Sequence, residues 1–317
     1  MVNKTPRQGK IRLTRRGRVA LVVTGALVIG TAVAVPLLLL DREADRQKTL
    51  LVPEGWRSGQ VYEAVDKALG VEKGSTKKAA GSAGLKLPGE SGGNPEGYLF
   101  PATYPLGGKT TPKSVLAYMV DTANKKFGAE AVAAGAKRNT VSVYQLVTIA
   151  SIVQSEADTK QDMGKVARVV YNRLDRGMPL QMDSTLNYAL NRSTLDTKNA
   201  DTKIKSPYNT YEKTGLPPTP IANPGDEALQ AAIAPPEGDW LYFVTVKPGD
   251  TRFTADFEEH RRNVEEFNRN RASEQSGATQ GAQPQDRQPN QQQNQQQNQQ
   301  QNQQQAGPEG VKANTEG

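Results

Sequence analysis

The sequence predicts an α+β protein, and three kinds of segment lead to that prediction. Apolar residues recur at helical spacing in several stretches, of which residues 142–157 are the clearest. Short runs rich in β-branched and aromatic residues, such as 240–246, predict strands between them. Residues 19–40 contain no charged side chain, which predicts a single N-terminal transmembrane helix ahead of the mixed body.

The N-terminal segments carry a topology signal. Residues 1–18 hold seven of the 40 basic side chains and none of the 33 acidic ones. The span 19–40 would be about 33 Å long as a helix, enough to cross a bilayer. Positive charge ahead of it predicts a cytoplasmic N-terminus and an extracytoplasmic body on a single-pass cell-membrane protein. A cleaved signal peptide is the alternative, because Ala32-Val33-Ala34 has the small-x-small pattern, although the apolar run continues beyond it.

Composition argues against several classes of function. The net charge of +7 arises in the N-terminal segment and the remaining chain is close to neutral, so no basic nucleic-acid-binding surface is expected. The absence of cysteine rules out disulfides and thiolate chemistry. With one histidine and no cysteine, a zinc site of the usual kind is not expected, and we predict neither a metal nor a cofactor.

Residues 41–94 are predicted to form a small βα segment and a linker. A short strand at 49–52 ends at a Pro-Glu-Gly turn, and residues 58–69 have a helical apolar face. This strand–turn–helix resembles half of a LysM-like module, a small fold with which many cell-wall proteins hold N-acetylglucosamine polymers. Residues 70–95 are rich in Gly, Ser and Lys and are predicted to be a loop.

The next segment crowds aromatic residues between glycine and proline. Tyr98, Phe100 and Tyr104 are interpreted as core residues, and the alternative is that they form part of a sugar-stacking wall. Helices are predicted at 114–127 and 129–136.

Residues 142–157 form the clearest predicted helix, and Glu156 is in its last turn. Ser142 and Gln145 fit a capping box at its start. Glu156 follows Ile152 and Val153 by about one turn, and apolar neighbours raise the pKa of a carboxyl group by desolvating it. A carboxylic acid that stays protonated near neutral pH can donate a proton to a glycosidic oxygen. The alternative is a solvated glutamate at a helix end.

The remaining elements follow from the same signals. Asp183 is a plausible N-cap for a helix after the loop 179–185. Three prolines stiffen the loop 215–221, and His260 is interpreted as structural or solvated. The remaining predictions are helices at 162–176, 227–234 and 253–268, a strand at 240–246, and a disordered Gln-rich tail at 271–317.

Seven motifs occur in an order that resembles the MltG-type, or YceG-like, endolytic peptidoglycan lytic transglycosylases. These are membrane enzymes that cut nascent glycan strands, and the resemblance implies a catalytic domain at 95–270. The motifs are EGYLFPATY (96–104), ASIVQSEA (150–157), VVYNRL (169–174), PLQMDSTLNY (179–188), YNTY (208–211), GLPPTPIANPG (215–225) and LYFV (241–244).

The resemblance implies that Glu156 is the catalytic acid. It would protonate the leaving oxygen of the β-1,4 bond between N-acetylmuramic acid and N-acetylglucosamine, and then accept the C6 hydroxyl proton as a 1,6-anhydro ring closes. Gln154 occupies a place where the family usually has a second glutamate, and Ala102, Met182 and Ser184 are smaller departures. The candidate groove residues are Glu96, Gln181, Asp183, Tyr208, Asn209 and Tyr211.

The expected partners are peptidoglycan strands, the membrane, and peptidoglycan synthases or division proteins, with no nucleic acid. The alternative hypothesis is a membrane-anchored scaffold that binds glycan without cutting it. A plain hydrolase would need a second acid.

Overall fold

The computed structural model describes residues 48–192, 198 and 200–280 of the 317, with side chains up to residue 273. The predicted basic segment, the membrane span 19–40 and the tail beyond residue 280 lie outside the described residues. Within the described part, none of the helices has the length and apolar character needed to span a bilayer.

Helices dominate the described chain, and its strands form two small antiparallel pairs, β1 with β2 and β3 with β4, so the architecture is α+β. The strands are β1 (Lys48–Leu51), β2 (Thr103–Leu106), β3 (Tyr242–Lys247) and β4 (Asp250–Thr254). The helices are α1 (Ser58–Leu69), α2 (Ser75–Ala80), α3 (Pro112–Phe127), α4 (Glu130–Arg138), α5 (Val143–Glu156), α6 (Lys160–Asp175), α7 (Asp183–Ala189), α8 (Asp226–Ile233) and α9 (Phe257–Gln280).

The N-terminal part of the described chain is a β–α–α–β unit. β1 and β2 pair with Lys48 opposite Leu106, and α1 and α2 lie between them in sequence. The predicted loop at 70–95 is therefore wrong in part, because it contains α2. Asp66 caps this helix from the end of α1: its carboxylate accepts hydrogen bonds from the backbone amides of Gly74 and Thr76 and from the Thr76 hydroxyl, at 2.6–2.8 Å. A cap supplied from a preceding helix leaves little local signal.

α5 is the central helix of the body. The predicted capping box at Ser142 and Gln145 is confirmed, with both reciprocal hydrogen bonds present. The helix is buried around most of its circumference because it packs against both α6 and α8. Two polar side chains inside it, Thr148 and Ser151, donate to backbone carbonyls of the preceding turn, which satisfies them within the core.

The three aromatic residues considered for a sugar wall are core residues. Tyr98, Phe100 and Tyr104 are each buried. Tyr98 packs edge-on against Phe127 and stacks on Tyr144. The core interpretation is therefore confirmed and the sugar-wall alternative is wrong, because these rings anchor the 96–106 segment to α3 and α5 and have no free face.

Asn223 joins three parts of the chain. Its side chain accepts a hydrogen bond from the Leu99 amide at 2.8 Å and donates to the Trp56 carbonyl at 2.8 Å. Its backbone amide also donates to Trp56, and its carbonyl accepts from Gly55. Asn223 is fully buried, so the proline-rich loop is locked to both the β–α–α–β unit and the 96–104 motif.

The C-terminal part of the described chain is a hairpin and a long helix. β3 and β4 pair with Tyr242 opposite Thr254, and α9 packs against β3. The last two residues of β4 were predicted to begin the last helix, which instead starts at Phe257, and α9 continues to Gln280, past the predicted start of the tail at residue 271. The hairpin was missed because Asp250–Thr254 has few apolar residues and gains its stability from pairing with β3.

Candidate active site

Glu156 is the last residue of α5 and opens onto a cavity of about 500 Å³. Its side chain is partly exposed, whereas Ile152 and Val153, one turn earlier, are fully buried. The helix thus delivers a carboxyl group from an apolar interior to a cavity wall. The other residues lining the cavity are Arg173, Leu180, Gln181, Met182, Asp183, Tyr211, Phe243, Val244, Phe257, His260, Val264 and Phe267.

The pKa of Glu156 is raised from its ordinary value to about 7, chiefly because burial desolvates the carboxylate. Two hydrogen bonds from Ser184 oppose that rise, one from its hydroxyl at 2.6 Å and one from its backbone amide at 3.3 Å. The negative charge of Asp183 adds to it. A carboxyl group with this pKa exchanges its proton near neutral pH, as a group that first donates and then accepts a proton must.

Asp183 and Tyr211 meet on the same cavity wall. The Tyr211 hydroxyl donates to Asp183 Oδ1 at 2.5 Å, and this bond, after burial, helps to raise the pKa of the Tyr211 phenol. Asp183 is the first residue of α7, and the residue at the cap position is Met182. The predicted N-cap role of Asp183 is therefore wrong, because its carboxylate is bonded to Tyr211 instead.

Thr210 links the two chain segments that form this wall. Its carbonyl accepts from the Gln181 amide at 2.9 Å, and its hydroxyl accepts from the Met182 amide at 3.0 Å. The hydroxyls of Thr185 and Thr210 are also bonded, at 2.9 Å. This ladder fixes the 208–211 motif against the start of α7, which places Tyr211 beside Asp183.

A buried arginine holds the loop at Gln181 by hydrogen bonds. Its backbone has a φ of +54°, a conformation that non-glycine residues rarely adopt. Arg173, from α6, donates to Gln181 Oε1 at 3.1 Å and to the Leu180 carbonyl at 2.8 Å, and its Nε donates to Leu241 at 2.7 Å. The guanidinium of Arg173 therefore links the cavity loop to the residue that precedes β3.

Three of the predicted groove residues lie outside this cavity. Glu96 lines a different cavity of about 1000 Å³, beside Tyr188. Tyr208 packs against Tyr188 at 4.9 Å between ring centres, and its hydroxyl is bonded to Thr219. Asn209 is fully buried, and its amide donates to two backbone carbonyls of its own loop. The structure thus brings Gln181, Asp183 and Tyr211 to Glu156 and leaves the other three elsewhere.

Gln154 also faces away from Glu156. Its side-chain oxygen accepts from the Gly225 amide at 2.9 Å, at the N-cap of α8. A backbone amide needs only an acceptor there, so an uncharged side chain suffices at this position.

The described residues offer no metal site: no three His, Asp or Glu side chains among them are close enough together to hold an ion.

A model of the YceG-like family matches residues 29–266. The chain belongs to the YceG-like family.

Curated YceG-like relatives carry one name. A protein of Bacillus subtilis named endolytic murein transglycosylase is 42% identical over 173 residues, or 54% of this chain and 48% of that one. A Streptococcus pneumoniae protein of the same name is 34% identical over 245 residues, or 69% of this chain and 44% of that one. The chain spans about half the length of the curated relatives it matches.

A solved structure has the same fold. The crystal structure of a yceG-like protein from Listeria monocytogenes aligns with a TM-score of 0.62 at 29% identity, over 68% of this chain and 75% of that one.

In this YceG-like chain, sequence reasoning missed the contribution of the C-terminal unit to the cavity. Phe257, His260, Val264 and Phe267 of α9 all line it. Their spacing of three, four and three residues marks one helix face, a pattern that the sequence contains. His260 stacks on Tyr242 at 5.0 Å, and burial followed by the nearby Arg173 charge lowers its pKa.

Proposed function

We propose that the protein is an endolytic lytic transglycosylase that cuts peptidoglycan glycan strands. The observation that carries this proposal is a partly exposed Glu156 with a pKa of about 7 in a cavity that also presents amide, carboxylate and phenol groups. The names of the relatives from Bacillus subtilis and Streptococcus pneumoniae support the same activity. Membership in the YceG-like family supports the fold on which it depends.

In the proposed reaction Glu156 serves first as an acid and then as a base. Its protonated carboxyl gives a proton to the glycosidic oxygen between N-acetylmuramic acid and N-acetylglucosamine as that bond breaks. The carboxylate then takes the proton of the muramyl C6 hydroxyl, whose oxygen bonds to C1 and closes a 1,6-anhydro ring. Protons and atoms balance without water, and Glu156 returns to its starting state.

Neighbouring groups support both half-reactions. Desolvation favours the protonated acid, and the two hydrogen bonds from Ser184 stabilise the carboxylate that forms when the proton leaves. Gln181, Asp183 and Tyr211 supply polar contacts to sugar hydroxyls and acetamides in the same cavity.

Hydrolysis is a second candidate, which Asp183 favours because it places another carboxyl group in the Glu156 cavity. An inverting glycosidase would use such a pair to activate water. The bond from Tyr211 to Asp183 occupies one of its oxygens, which weighs against a base role. A glycan-binding scaffold without cleavage is the third possibility to be tested.

Product analysis separates these candidates. Purified uncrosslinked glycan strands are incubated with the protein, and the fragments are identified by mass spectrometry. We expect fragments with 1,6-anhydro ends, and Glu156→Gln to reduce their rate of formation by about 10²-fold or more. Glu212→Gln, which changes an exposed glutamate next to Tyr211, is the matched control and keeps the wild-type rate.

The other outcomes are equally distinct. Reducing-end fragments that disappear in both Glu156→Gln and Asp183→Asn would establish hydrolysis. Strands that bind to the protein but stay intact would establish the scaffold.

Location and partners belong to the same proposal. A membrane helix at 19–40 would hold residues 41–270 outside the cytoplasmic membrane, where nascent strands and their synthases are found. The segment before residue 95 would act as a LysM-like contact to glycan. Accessibility of a cysteine introduced at an exposed position such as Lys73 to a membrane-impermeant reagent in intact cells tests this topology.

A further inference from the structure

We propose that Phe257, the first residue of α9, is a sugar-stacking residue of the Glu156 cavity, against which one pyranose ring of the glycan strand packs. The proposal rests on the proposed function, because it names a contact that the same substrate would make. It assigns to α9 a part of the binding site that the sequence motifs do not indicate.

The first observation is an exposed aromatic ring at the cavity. Phe257 is 58% exposed and yet lines the cavity that holds Glu156. Four other large apolar side chains in the described chain are exposed, by 36% to 64%, and none of them lines this cavity. An exposed phenyl ring at a cavity mouth leaves apolar area in water that a ligand face can cover.

The second observation is that the ring is held in place. Phe257 packs against Tyr242, with 5.6 Å between ring centres. Tyr242 is itself fixed, because it stacks on His260 at 5.0 Å and Arg173 Cζ lies 5.2 Å from its ring centre. A ring supported by such a stack loses little conformational freedom when a ligand covers it.

The third observation concerns the chemistry of the wall opposite. The same cavity presents the Gln181 amide and the carboxyl groups of Asp183 and Glu156. A pyranose ring has an apolar face of C–H groups and a rim of hydroxyls, so it matches one aromatic ring flanked by polar groups. A lipid surface or an apolar peptide helix would desolvate these polar groups without offering them any further hydrogen bond.

The bound sugar would lie next to the glycosidic bond whose oxygen Glu156 protonates. Arg173 connects both sides, since it holds the Gln181 loop by hydrogen bonds and contacts the Tyr242 ring. The aromatic stack and the polar wall are therefore parts of one rigid arrangement around the carboxyl group.

The test uses binding to strands that are not cut. In the Glu156→Gln background, the affinity for purified uncrosslinked glycan strands is measured by co-sedimentation. We expect Phe257→Ala and Phe257→Leu to weaken binding about tenfold, and Phe257→Trp to retain it. Tyr118→Ala removes an exposed aromatic ring from α3, outside the cavity, and is expected to leave binding unchanged.

Steady-state cleavage provides the second readout. With Glu156 restored, Phe257→Leu raises the half-saturating strand concentration about tenfold, and the rate at saturation stays within twofold of wild type. Leucine keeps the apolar volume, so this variant retains its fold even if alanine does not. Unchanged binding in Phe257→Leu overturns the proposal, as does an equal loss in Phe257→Leu and Phe257→Trp.

The two proposals fail in different ways. If strands bind in a Phe257-dependent manner but are not cut, the proposed enzymatic function is wrong and the proposed stacking site stands. If strands are cut to anhydro products and the reaction does not depend on Phe257, the proposed function stands and the stacking site is wrong. Strands that fail to bind wild-type protein at all would overturn both.

Discussion

At Glu156, two neighbours and the surrounding burial act on one carboxyl group in opposite directions. Desolvation and the charge of Asp183 favour the protonated form, whereas the hydrogen bonds from Ser184 favour the ionised form. The result is a pKa of about 7. Desolvation alone would favour the protonated form at neutral pH and the hydrogen bonds alone would favour the ionised form, whereas the proposed mechanism needs the group to pass between the two.

Removing the Ser184 hydroxyl should move the pH profile to the alkaline side. Glu156 must be protonated to act as an acid, so the proposed activity falls as pH rises through its pKa. Ser184→Ala deletes the 2.6 Å bond that stabilises the carboxylate, which raises the pKa further. We therefore expect the descending limb of kcat/KM against pH to lie at higher pH than in wild type.

The control for this prediction is Ser155→Ala. Ser155 is next to Glu156 in sequence, but its hydroxyl donates to the Ser151 carbonyl, so its removal should leave the limb where it is. A limb that stays in place in Ser184→Ala, or that moves to lower pH, would show that this hydrogen bond does not set the pKa.

The 96–104 motif and the proline-rich loop are positioned by a close contact at one glycine. Gly97 allows the 96–104 motif to pass directly beside the proline-rich loop. Its φ is +83°, and a Cβ at this position would lie 2.5 Å from Pro220 Cβ and Cγ. The turn therefore needs glycine for two reasons, its backbone conformation and the space beside it.

Two glycine substitutions separate those two reasons. Gly92→Ala changes a residue with φ of +57° and nothing within 4 Å of the new Cβ, and should lower the free energy of unfolding by about 1 kcal/mol. Gly97→Ala adds the clash with Pro220 and should lower it by roughly 3 kcal/mol. Denaturant unfolding measures both, and equal losses would mean that the proline loop moves aside at little cost.

At the scale of the whole molecule, long-range bonds assemble the cavity and its supports. Ser184 and Glu156 are 28 positions apart, and Asn223 and Trp56 are 167 apart. Glu96 joins the β–α–α–β unit to α7, because it accepts from the Ser58 amide at 2.9 Å and from the Tyr188 hydroxyl at 3.3 Å. Only 3% of Glu96 is exposed, and burial raises its pKa to about 7.

Glu96 should make the stability of the protein depend on pH. In the unfolded chain it ionises near 4.5, but in the folded protein near 7. The folded state therefore binds more protons between these values, so this contribution is complete below pH 4.5 and is lost as pH rises through 7. A shift of this size corresponds to about 3 kcal/mol.

Glu96→Gln should remove that part of the pH dependence, since glutamine keeps the shape and cannot ionise. The free energy of unfolding at pH 5 and at pH 8 is compared by denaturant titration. Wild type should lose roughly 2–3 kcal/mol more than Glu96→Gln over this interval, because a small part of the contribution is already lost at pH 5. Glu72→Gln, at an exposed position, should behave as wild type, and an equal loss in all three proteins would contradict the assignment to Glu96.

The sequence by itself determined the elements whose signals are local. The capping box at Ser142 and the helical spacing after it predict α5, and they place Glu156 at the end of that helix. Most of the helices in the described body lie where their apolar spacing predicts them, because burying one face of a helix needs a pattern within the segment itself.

Tertiary structure alone decided which side chains surround Glu156. The hydrogen bond from Ser184 to Glu156 and the packing of α9 at the cavity depend on contacts between segments that are distant in sequence. A residue type and its neighbours in sequence do not specify such contacts, because several backbone arrangements satisfy the same local pattern. Packing of the whole core selects one of them, and with it the environment that sets the pKa of the catalytic candidate.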